Sequence, residues 1–329
     1  MRAVVTGGAG FIGSHLVDRL LADGHSVRVL DNFSTGRPEN LAHVANDPRL
    51  SLERVDVSSE PRLEVLLRGA DWVFHLAALA DIVPSIERPM DYHRANVDGT
   101  VVLLEAARRA AVGRFLYAAS SSCYGIPDVY PTPETAPARP QYPYALSKLL
   151  GEHCVLHWSQ VYRLPAVSLR LFNVYGPRAR TSGTYGAVFG VFLAQKLNGQ
   201  PYTVVGDGTQ SRDFTFVADV ADAFVTAAHS TTVGKVFNVG TGAPVSVNRL
   251  VELLEGDVVH VPKRPGEPDR THADIGAIQR ELGWRPKVAI EEGVRILLEN
   301  IEYWRTAPVW TPESIQVATR AWFRYLGNE

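Results

Sequence analysis

The chain is short of cysteine, of surplus charge of either sign and of long apolar runs, and each shortage removes a class of protein. Two cysteines among 329 residues, Cys123 and Cys154, cannot build a disulfide framework, and neither has a Cys-x-x-Cys partner. Lysine and arginine number 33 against 35 acidic residues, a formal net charge of −2, so no nucleic-acid or membrane partner is expected, since such partners usually require basic clusters. No apolar stretch reaches the roughly 18 residues that a membrane-spanning helix needs. The first residues carry no charged leader or apolar core before a cleavage site, and repeats and low-complexity tracts are missing too. A cytoplasmic protein is expected. Its hydrophobic content of 46% can fill the core of one elaborated domain or two closely joined ones.

What is present begins at the amino terminus. Met1 to Thr6 reads as a short buried strand, Gly7-Gly8-Ala9-Gly10-Phe11-Ile12-Gly13 follows at once, and Ser14 to Leu21 has helical periodicity. Glycines at 7, 10 and 13 allow a tight turn, close approach of backbone to a pyrophosphate and close packing of helix on strand, while the helix start supplies N–H donors. A second strand, Ser26 to Leu30, ends in Asp31, placed where a carboxylate can bind an adenosine ribose and repel a 2′-phosphate. The pattern predicts NAD. Arg37, a few residues on, leaves NADP as the alternative.

Strand-like runs recur at Val27 to Leu30, Trp72 to Leu76, Phe115 to Ala119 and Val167 to Leu171, with helical segments between them. That alternation predicts an α/β fold, a Rossmann-like, doubly wound parallel sheet with ligands outside the carboxyl ends of its strands. Asp31, Asp56, Ala77, Ser120 and Asn173 each fall at such an end. After Gly176 the pattern changes to turns, a helix from about Tyr185 to Leu197 and the strand-like Tyr202 to Val205, which predicts a smaller C-terminal substrate-binding lobe. Val236 to Val239 returns to the sheet. The expected division is 1–175 plus about 209–243 for the dinucleotide domain, and 176–208 with 244–329 for the lobe. The proline-rich stretch Pro127 to Pro143 reads as a loop over the cleft. Thr311-Pro312-Glu313 reads as a helix start, and its stripe Ile315, Thr319, Trp322, Phe323 and Leu326 is expected to pack on the lobe.

Tyr142-Pro143-Tyr144-Ala145-Leu146-Ser147-Lys148 puts a phenol and an ammonium four residues apart on one helix face. A free tyrosine titrates near ~10 and a lysine near ~10.4, and a neighbouring ammonium favours the phenolate, which makes Tyr144 a candidate proton acceptor for a carbinol. Alone, the spacing fits a solvated surface pair better than a catalytic one. His153 and His157 mimic a zinc pair, but no glutamate follows the first and no third ligand is evident, so no metal is expected. His75 is expected to be a buried, hydrogen-bonded histidine.

Taken in order, the pieces resemble those of the extended short-chain dehydrogenase/reductase family, in particular its NAD-dependent nucleotide-sugar epimerases and dehydratases. They are Thr6 to Gly13, His75-Leu76-Ala77-Ala78, Asn96-Val97-Asp98-Gly99-Thr100, Ser120 to Gly125, Tyr144 to Lys148, Leu169 to Pro177, Gly206-Asp207-Gly208, Arg212-Asp213-Phe214 and Arg264-Pro265-Gly266-Glu267. The resemblance implies that Tyr144 is the acid/base, Lys148 its electrostatic partner and a ribose ligand, and Ser120 a hydroxyl relay. It implies NAD contacts at Gly7, Gly10, Phe11, Ile12, Gly13, Asp31, Asn32, Asp56, Val57, Leu76, Ala77 and Ala78 besides Tyr144 and Lys148, with the NAD tightly bound and regenerated at every turnover. Nucleotide-sugar contacts are implied at Ser85, Ser121, Ser122, Asn173, Val188, Thr203, Val205, Arg212, Arg264, Glu267 and Thr271, and a homodimer through a four-helix contact made by the segments near 92–110 and 144–162.

Within the family, 4,6-dehydratases resembling this chain carry an Asp-Glu pair where Ser121 and Ser122 stand, and decarboxylases keep a glutamate at the second position. Hydroxyls there leave one proton shuttle and one hydride shuttle, which is the chemistry of a 4-epimerase. The expected substrate is a UDP-hexose or UDP-N-acetylhexosamine, because Thr271 is small where glucose-restricted relatives have tyrosine. A UDP-hexuronic acid stays open through the loop Arg178 to Tyr185, which could bring a guanidinium near C6. A dehydratase, a decarboxylase, a reductase using free NAD, and a non-catalytic NAD sensor are the other readings.

Overall fold

The computed structural model describes residues 1–179 and 187–327. Its centre is a sheet of seven strands, and six of them, in chain order, are β1 (Arg2–Thr6), β2 (Ser26–Asp31), β3 (Leu50–Arg54), β4 (Trp72–His75), β5 (Arg114–Ser120) and β6 (Ala166–Leu171). With the seventh, Lys235–Val239, the spatial order is Lys235–Val239, β6, β5, β4, β1, β2, β3. Each neighbouring pair is parallel. Parallel strands need helical crossovers, so both faces are covered and the strands read as near-continuous apolar runs; β6, for example, is buried along its whole length. β1 has β2 on one side and β4 on the other, and this reversal of winding opens the crevice in which such sheets bind ligands.

Helix α1 (Phe11–Ala22) presents Leu16, Val17, Leu20 and Leu21 at helical spacing to one face of the sheet, beside Phe224 of the helix Val217–His229. The helices Gly99–Arg109 and Pro143–Tyr162 cover the other face, with Leu103, Leu104 and Val155 meeting Val73, Phe115 and Tyr117. Gly151 lets the second of these helices press onto β5, because a Cβ there would lie 2.3 Å from the Tyr117 hydroxyl oxygen.

The smaller lobe has a core of its own. Phe189, Phe192, Tyr202, Leu250, Leu297 and Trp304 pack together, with Phe192 stacked on Tyr202 at 4.8 Å. It contains the helix Val188–Leu197 and the parallel pair Tyr202–Val205 with Val258–Val261. The helix expected from about Tyr185 begins at Val188, with Ala187 as its N-cap, and Tyr185 itself lies outside the described residues. The division expected at residue 244 is not clean. Ile278 and Trp284 are buried in the sheet's core, and Trp284 Nε1 donates to the Asp219 carbonyl at 3.2 Å, so the chain crosses back to the first domain before completing the lobe.

The carboxyl terminus also departs from expectation. It forms two short helices, Pro312–Ala318 and Arg320–Leu326, broken at Thr319, and the first opens with a capping box between Thr311 and Ser314. The second packs against the helix Ile82–Glu87 of the sheet domain, while Trp322 Nε1 donates to the Pro265 carbonyl of the lobe at 2.7 Å. The segment therefore bridges both parts. Among the described residues no helix is long and apolar enough to cross a membrane, no group of three or more His, Cys, Asp or Glu side chains could hold a metal, and both cysteines are free.

Candidate active site

One cleft of about 710 Å³ runs from the carboxyl ends of β1 and β2 to the smaller lobe, within the usual range of ligand sites. Its dinucleotide half is built by the glycines. Gly7 has φ +69° and leaves no room for a side chain, since a Cβ would stand 2.7 Å from the Ala77 nitrogen. Gly13 is tighter still, with a Cβ 2.2 Å from the Gly7 carbonyl oxygen. Gly10 caps α1 without a side chain, and the first turn of any α-helix leaves N–H groups without intrahelical acceptors. Phe11, Ile12 and Gly13 of that turn line the cleft, which suits a pyrophosphate.

Asp31 closes this half. It is 5% exposed, accepts from Ala9 N at 3.0 Å and Phe33 N at 2.8 Å, and burial raises its pKa above the ordinary carboxylate value. Asn32 donates to Asp56 at 2.9 Å, and Val57, Leu76, Ala77 and Ala78 complete the wall. Arg37 stacks on the Tyr303 ring at 4.7 Å and does not line the cleft, so the guanidinium that left NADP open is directed elsewhere. A bare glycine cradle with an acid at the end of β2 fits NAD. Gly13→Ala is expected to yield protein without co-purifying NAD and less stable by about 1–3 kcal/mol, the cost of overpacking. Cofactor content after denaturation and a melting curve check this, and unchanged NAD content would count against the cradle.

The floor between the halves is held by a line of hydrogen bonds. Thr100 donates to the Asn96 carbonyl at 2.7 Å, so its oxygen accepts from His75 Nε2 at 2.9 Å. His75 Nδ1 is thereby left as the acceptor for Thr6, at 2.8 Å, and Ala77 N donates to the Thr6 oxygen at 3.2 Å. This order fixes a neutral imidazole with its proton on Nε2. Burial first, then the Lys148 charge, pushes its pKa down to about 3. Asn96 lies in a turn of π-helix, Arg94–Asp98, a rare widening that often marks functional sites. Its amide accepts from Leu79 N at 2.8 Å and donates to Leu79 O and to Ser147 Oγ, both at 2.9 Å. Ser147 in turn donates to the Tyr144 carbonyl at 2.8 Å, which ties the cleft wall to the first turn of the Pro143–Tyr162 helix.

Tyr144 stands on that turn and lines the cleft with Ser120, Ser121 and Ser122. Burial raises the Tyr144 pKa, and a hydrogen bond from Ser120 acts against it. The hydroxyls of Ser120 and Ser122 are 2.8 Å apart, at the carboxyl end of β5. Lys148 is 4% exposed and lies behind the wall, its ammonium 4.3 Å from the centre of the Tyr117 ring. Burial lowers its pKa to about 7, with the Glu152 charge pulling up.

At the lobe end, Arg212 donates to Glu267 at 2.8 Å, and Arg264 is 3.6 Å from the same carboxylate. Asn173 accepts from the Thr271 hydroxyl at 2.9 Å, and Thr271 also accepts from Asp213 N at 3.0 Å. Val188, Thr203 and Val205 line this end with them. Ser85 does not line the cleft: it is fully buried and donates to the carbonyl of Ile82 at 2.6 Å. Arg178 is bonded to Asp18 and to the Asn40 carbonyl and does not line the cleft, whereas Ala179 does, and residues 180–185 of that loop lie outside the described residues. Lining residues without a role from sequence include Asp81, Tyr142, Trp310 and Trp322. Tyr142 stacks parallel to Tyr144 at 6.4 Å, and an aromatic two residues before Tyr144 was the one signal that could have found it.

Comparison with known proteins follows this geometry. The sequence model of the "NAD dependent epimerase/dehydratase family" matches residues 3–240. A UDP-glucose 4-epimerase of Mycolicibacterium smegmatis is 40% identical over 314 residues, which cover 93% of this chain and 99% of that protein. The solved UDP-N-acetylglucosamine 4-epimerase of Methanobrevibacter ruminantium, in complex with UDP-N-acetylmuramic acid, superimposes with a TM-score of 0.87 at 35% identity, covering 93% of this chain and 98% of the other. The UDP-glucuronic acid 4-epimerase of Bacillus cereus, in complex with UDP-glucuronic acid and NAD, gives 0.86 at 32% identity, with 92% and 99% covered.

Proposed function

The chain belongs to the NAD dependent epimerase/dehydratase family, and from that premise we propose that it inverts C4 of a UDP-hexose or UDP-N-acetylhexosamine through a transient 4-keto sugar. The observation that carries this reading is the Tyr144 phenol at the Ser120 and Ser122 hydroxyl pair, with no carboxylate at 121 or 122. Elimination across C5 and C6 needs a second acid and base. One proton acceptor suffices to make and reduce a ketone at C4.

Bound NAD supplies a hydride acceptor and donor, together with a cationic nicotinamide that favours a phenolate. The chain's own residues do the rest. Tyr144 takes the C4 hydroxyl proton as the carbonyl forms and returns it once the sugar has turned. Ser120 hydrogen-bonds the sugar oxygen and Tyr144 while the proton moves. Lys148, with its pKa near 7, offers a positive charge that can be gained or lost at neutral pH. Arg212 and Arg264 grip the diphosphate through their forked donors, with Glu267 holding both. Asn173 is aimed by Thr271.

A neutral sugar is favoured over a hexuronic acid because Asp81 lines the cleft; of the two arginines in the loop from Arg178, Arg178 is committed to Asp18 and Arg180 lies outside the described residues. Thr271 leaves space for an N-acetyl group. Thr271→Tyr is expected to lower kcat/KM for UDP-N-acetylglucosamine relative to UDP-glucose by about tenfold or more, and Thr271→Ser, which keeps the hydroxyl on Asn173, to leave the ratio unchanged. An unchanged ratio in the tyrosine variant refutes this pocket assignment.

The function is tested by incubating purified protein, without added cofactor, with UDP-glucose, UDP-N-acetylglucosamine and UDP-glucuronate, and following the anomeric protons by NMR. Appearance of a 4-epimer from either neutral sugar is expected; turnover of none of the three overturns the reading. Two copies pairing through the helices Gly99–Arg109 and Pro143–Tyr162 fits the exposure of Val102, Leu146, Val161 and Tyr162, and sedimentation measures it.

A further inference from the structure

Trp322 sits between Tyr142, beside Tyr144, and Arg264 at the lobe end of the cleft. It is 4% exposed yet lines the cleft, its ring is 6.3 Å from that of Tyr142, and the Arg264 guanidinium lies 5.4 Å from its centre. Tyr142 in turn stacks on Tyr144. An aromatic wall thus runs from the proton acceptor through Tyr142 and Trp322 to an arginine at the nucleotide end. The tryptophan does not come from either domain's framework. It is delivered by the helix Arg320–Leu326, which rests on the helix Ile82–Glu87 across the cleft and is pinned to Pro265, the residue after Arg264, by its indole N–H.

We propose that the C-terminal helix pair is part of the substrate site and that Trp322 is a positioning residue for Arg264, holding its guanidinium flat for a nucleoside diphosphate sugar. The assignment rests on the nucleotide-sugar reading above. Two physical arguments carry it. An arginine side chain has many rotamers, and freezing it against a ring lowers what binding an anion costs in conformational freedom. A guanidinium stacked on an aromatic face keeps its N–H edge available for bidentate bonds to phosphate oxygens. Glu267, shared by Arg212 and Arg264, attracts the guanidinium from one side, and the Trp322 ring lies 5.4 Å from it on another. Ile315 and Thr319 are buried at 4% and 1%, so the preceding helix is anchored and presents the tryptophan on a fixed base.

The test compares the holoenzyme with Trp322→Ala, Trp322→Phe and a chain ending at Trp310, which keeps the bond between Gln195 and the Trp310 carbonyl. UDP binding is measured by calorimetry, and kcat and KM are measured separately with UDP-glucose. Loss of the stacked ring is expected to weaken UDP binding and raise KM by about tenfold in Trp322→Ala and in the shortened chain, with kcat and bound NAD unchanged. Trp322→Phe, which keeps a ring but loses the bond to Pro265, is expected to recover most of the affinity. Unchanged UDP affinity in Trp322→Ala overturns the proposal, as does a phenylalanine variant as weak as the alanine one, because the tryptophan would then serve only to anchor the helix. If the alanine variant does not fold, the shortened chain decides. UDP affinity is read without turnover, so a wild-type protein that binds UDP but epimerises neither neutral sugar sinks the reaction assignment and leaves this one standing on its binding data.

Discussion

Tyr144→Phe is expected to lower epimerisation by about 10²–10⁴-fold, the usual contribution of a positioned acid/base, while retaining bound NAD. The substitution removes one oxygen and little else. The ring stays packed between Tyr142 at 6.4 Å and Tyr92 at 6.4 Å, and the helix start is held through the Tyr144 carbonyl and Ser147. The comparison to make is kcat beside NAD content and melting temperature for the two proteins. A variant that turns over at the wild-type rate would take the proton from Tyr144 and force a search among the other groups on the cleft, Asp81 first. Because burial holds the free phenol above its ordinary pKa, activity should climb with pH as the phenolate becomes accessible, and the phenylalanine variant should lose that limb of the profile along with the rate.

The second large effect lies one helical turn beyond Lys148. Glu152 and Arg170 form a buried ion pair, their side chains 2% and 9% exposed, with Arg170 Nη2 donating to Glu152 at 2.6 Å. Ser168 donates to the same carboxylate at 2.9 Å, and the other edge of the guanidinium reaches the Tyr124 hydroxyl at 2.8 Å and the Glu134 carbonyl at 3.1 Å. Removing one partner leaves a charge in the interior without its counter-ion, so Glu152→Ala and Arg170→Ala are each expected to destabilise the protein by about 3–5 kcal/mol. Denaturant midpoints measure it. Replacing both residues by apolar ones of similar volume should cost less than either single change, and a double variant as damaged as the sum of the two would contradict that. The same carboxylate pulls the Lys148 pKa upward. In Glu152→Ala, Lys148 therefore titrates lower still and gives up its charge at more acidic pH.

Much of this was legible in the sequence because it is local. The strand, glycine turn and helix from Arg2 to Ala22 declare themselves through spacing, as do the acid at the end of β2 and the placing of Tyr144 and Lys148 on one helix, where the Lys148 ammonium lies over the Tyr117 ring. What escaped is set by contacts between distant segments. Nothing near Trp322 in the chain says that it will meet Arg264 and Tyr142, and the stripe Ile315 to Leu326 reads equally well against the lobe alone. Ser85, expected at the substrate, and Arg178, one of two arginines in the loop expected near C6, are placed away from the cleft for the same reason. Each has a side chain able to face the cleft, but one is satisfied within its own helix and the other by Asp18, and those partners are chosen by the packing. The helix Gly276–Leu282 carries no mark in its sequence that it will return to the sheet's core.

The bonds through His75 have a further consequence. Every hydroxyl in that line, and the ring itself, receives on one side and gives on the other, from Ala77 through Thr6, His75 and Thr100 to Asn96. Such a line has polarity, and no member can turn round unless all of them do. The segments it joins, the wall at Ala77 and the widened turn at Asn96, are therefore locked in phase, and disorder at one end must propagate to the other or not occur at all. The floor of the cleft therefore has one orientation, because the Ala77 N–H at one end can only give and the Asn96 carbonyl at the other can only receive.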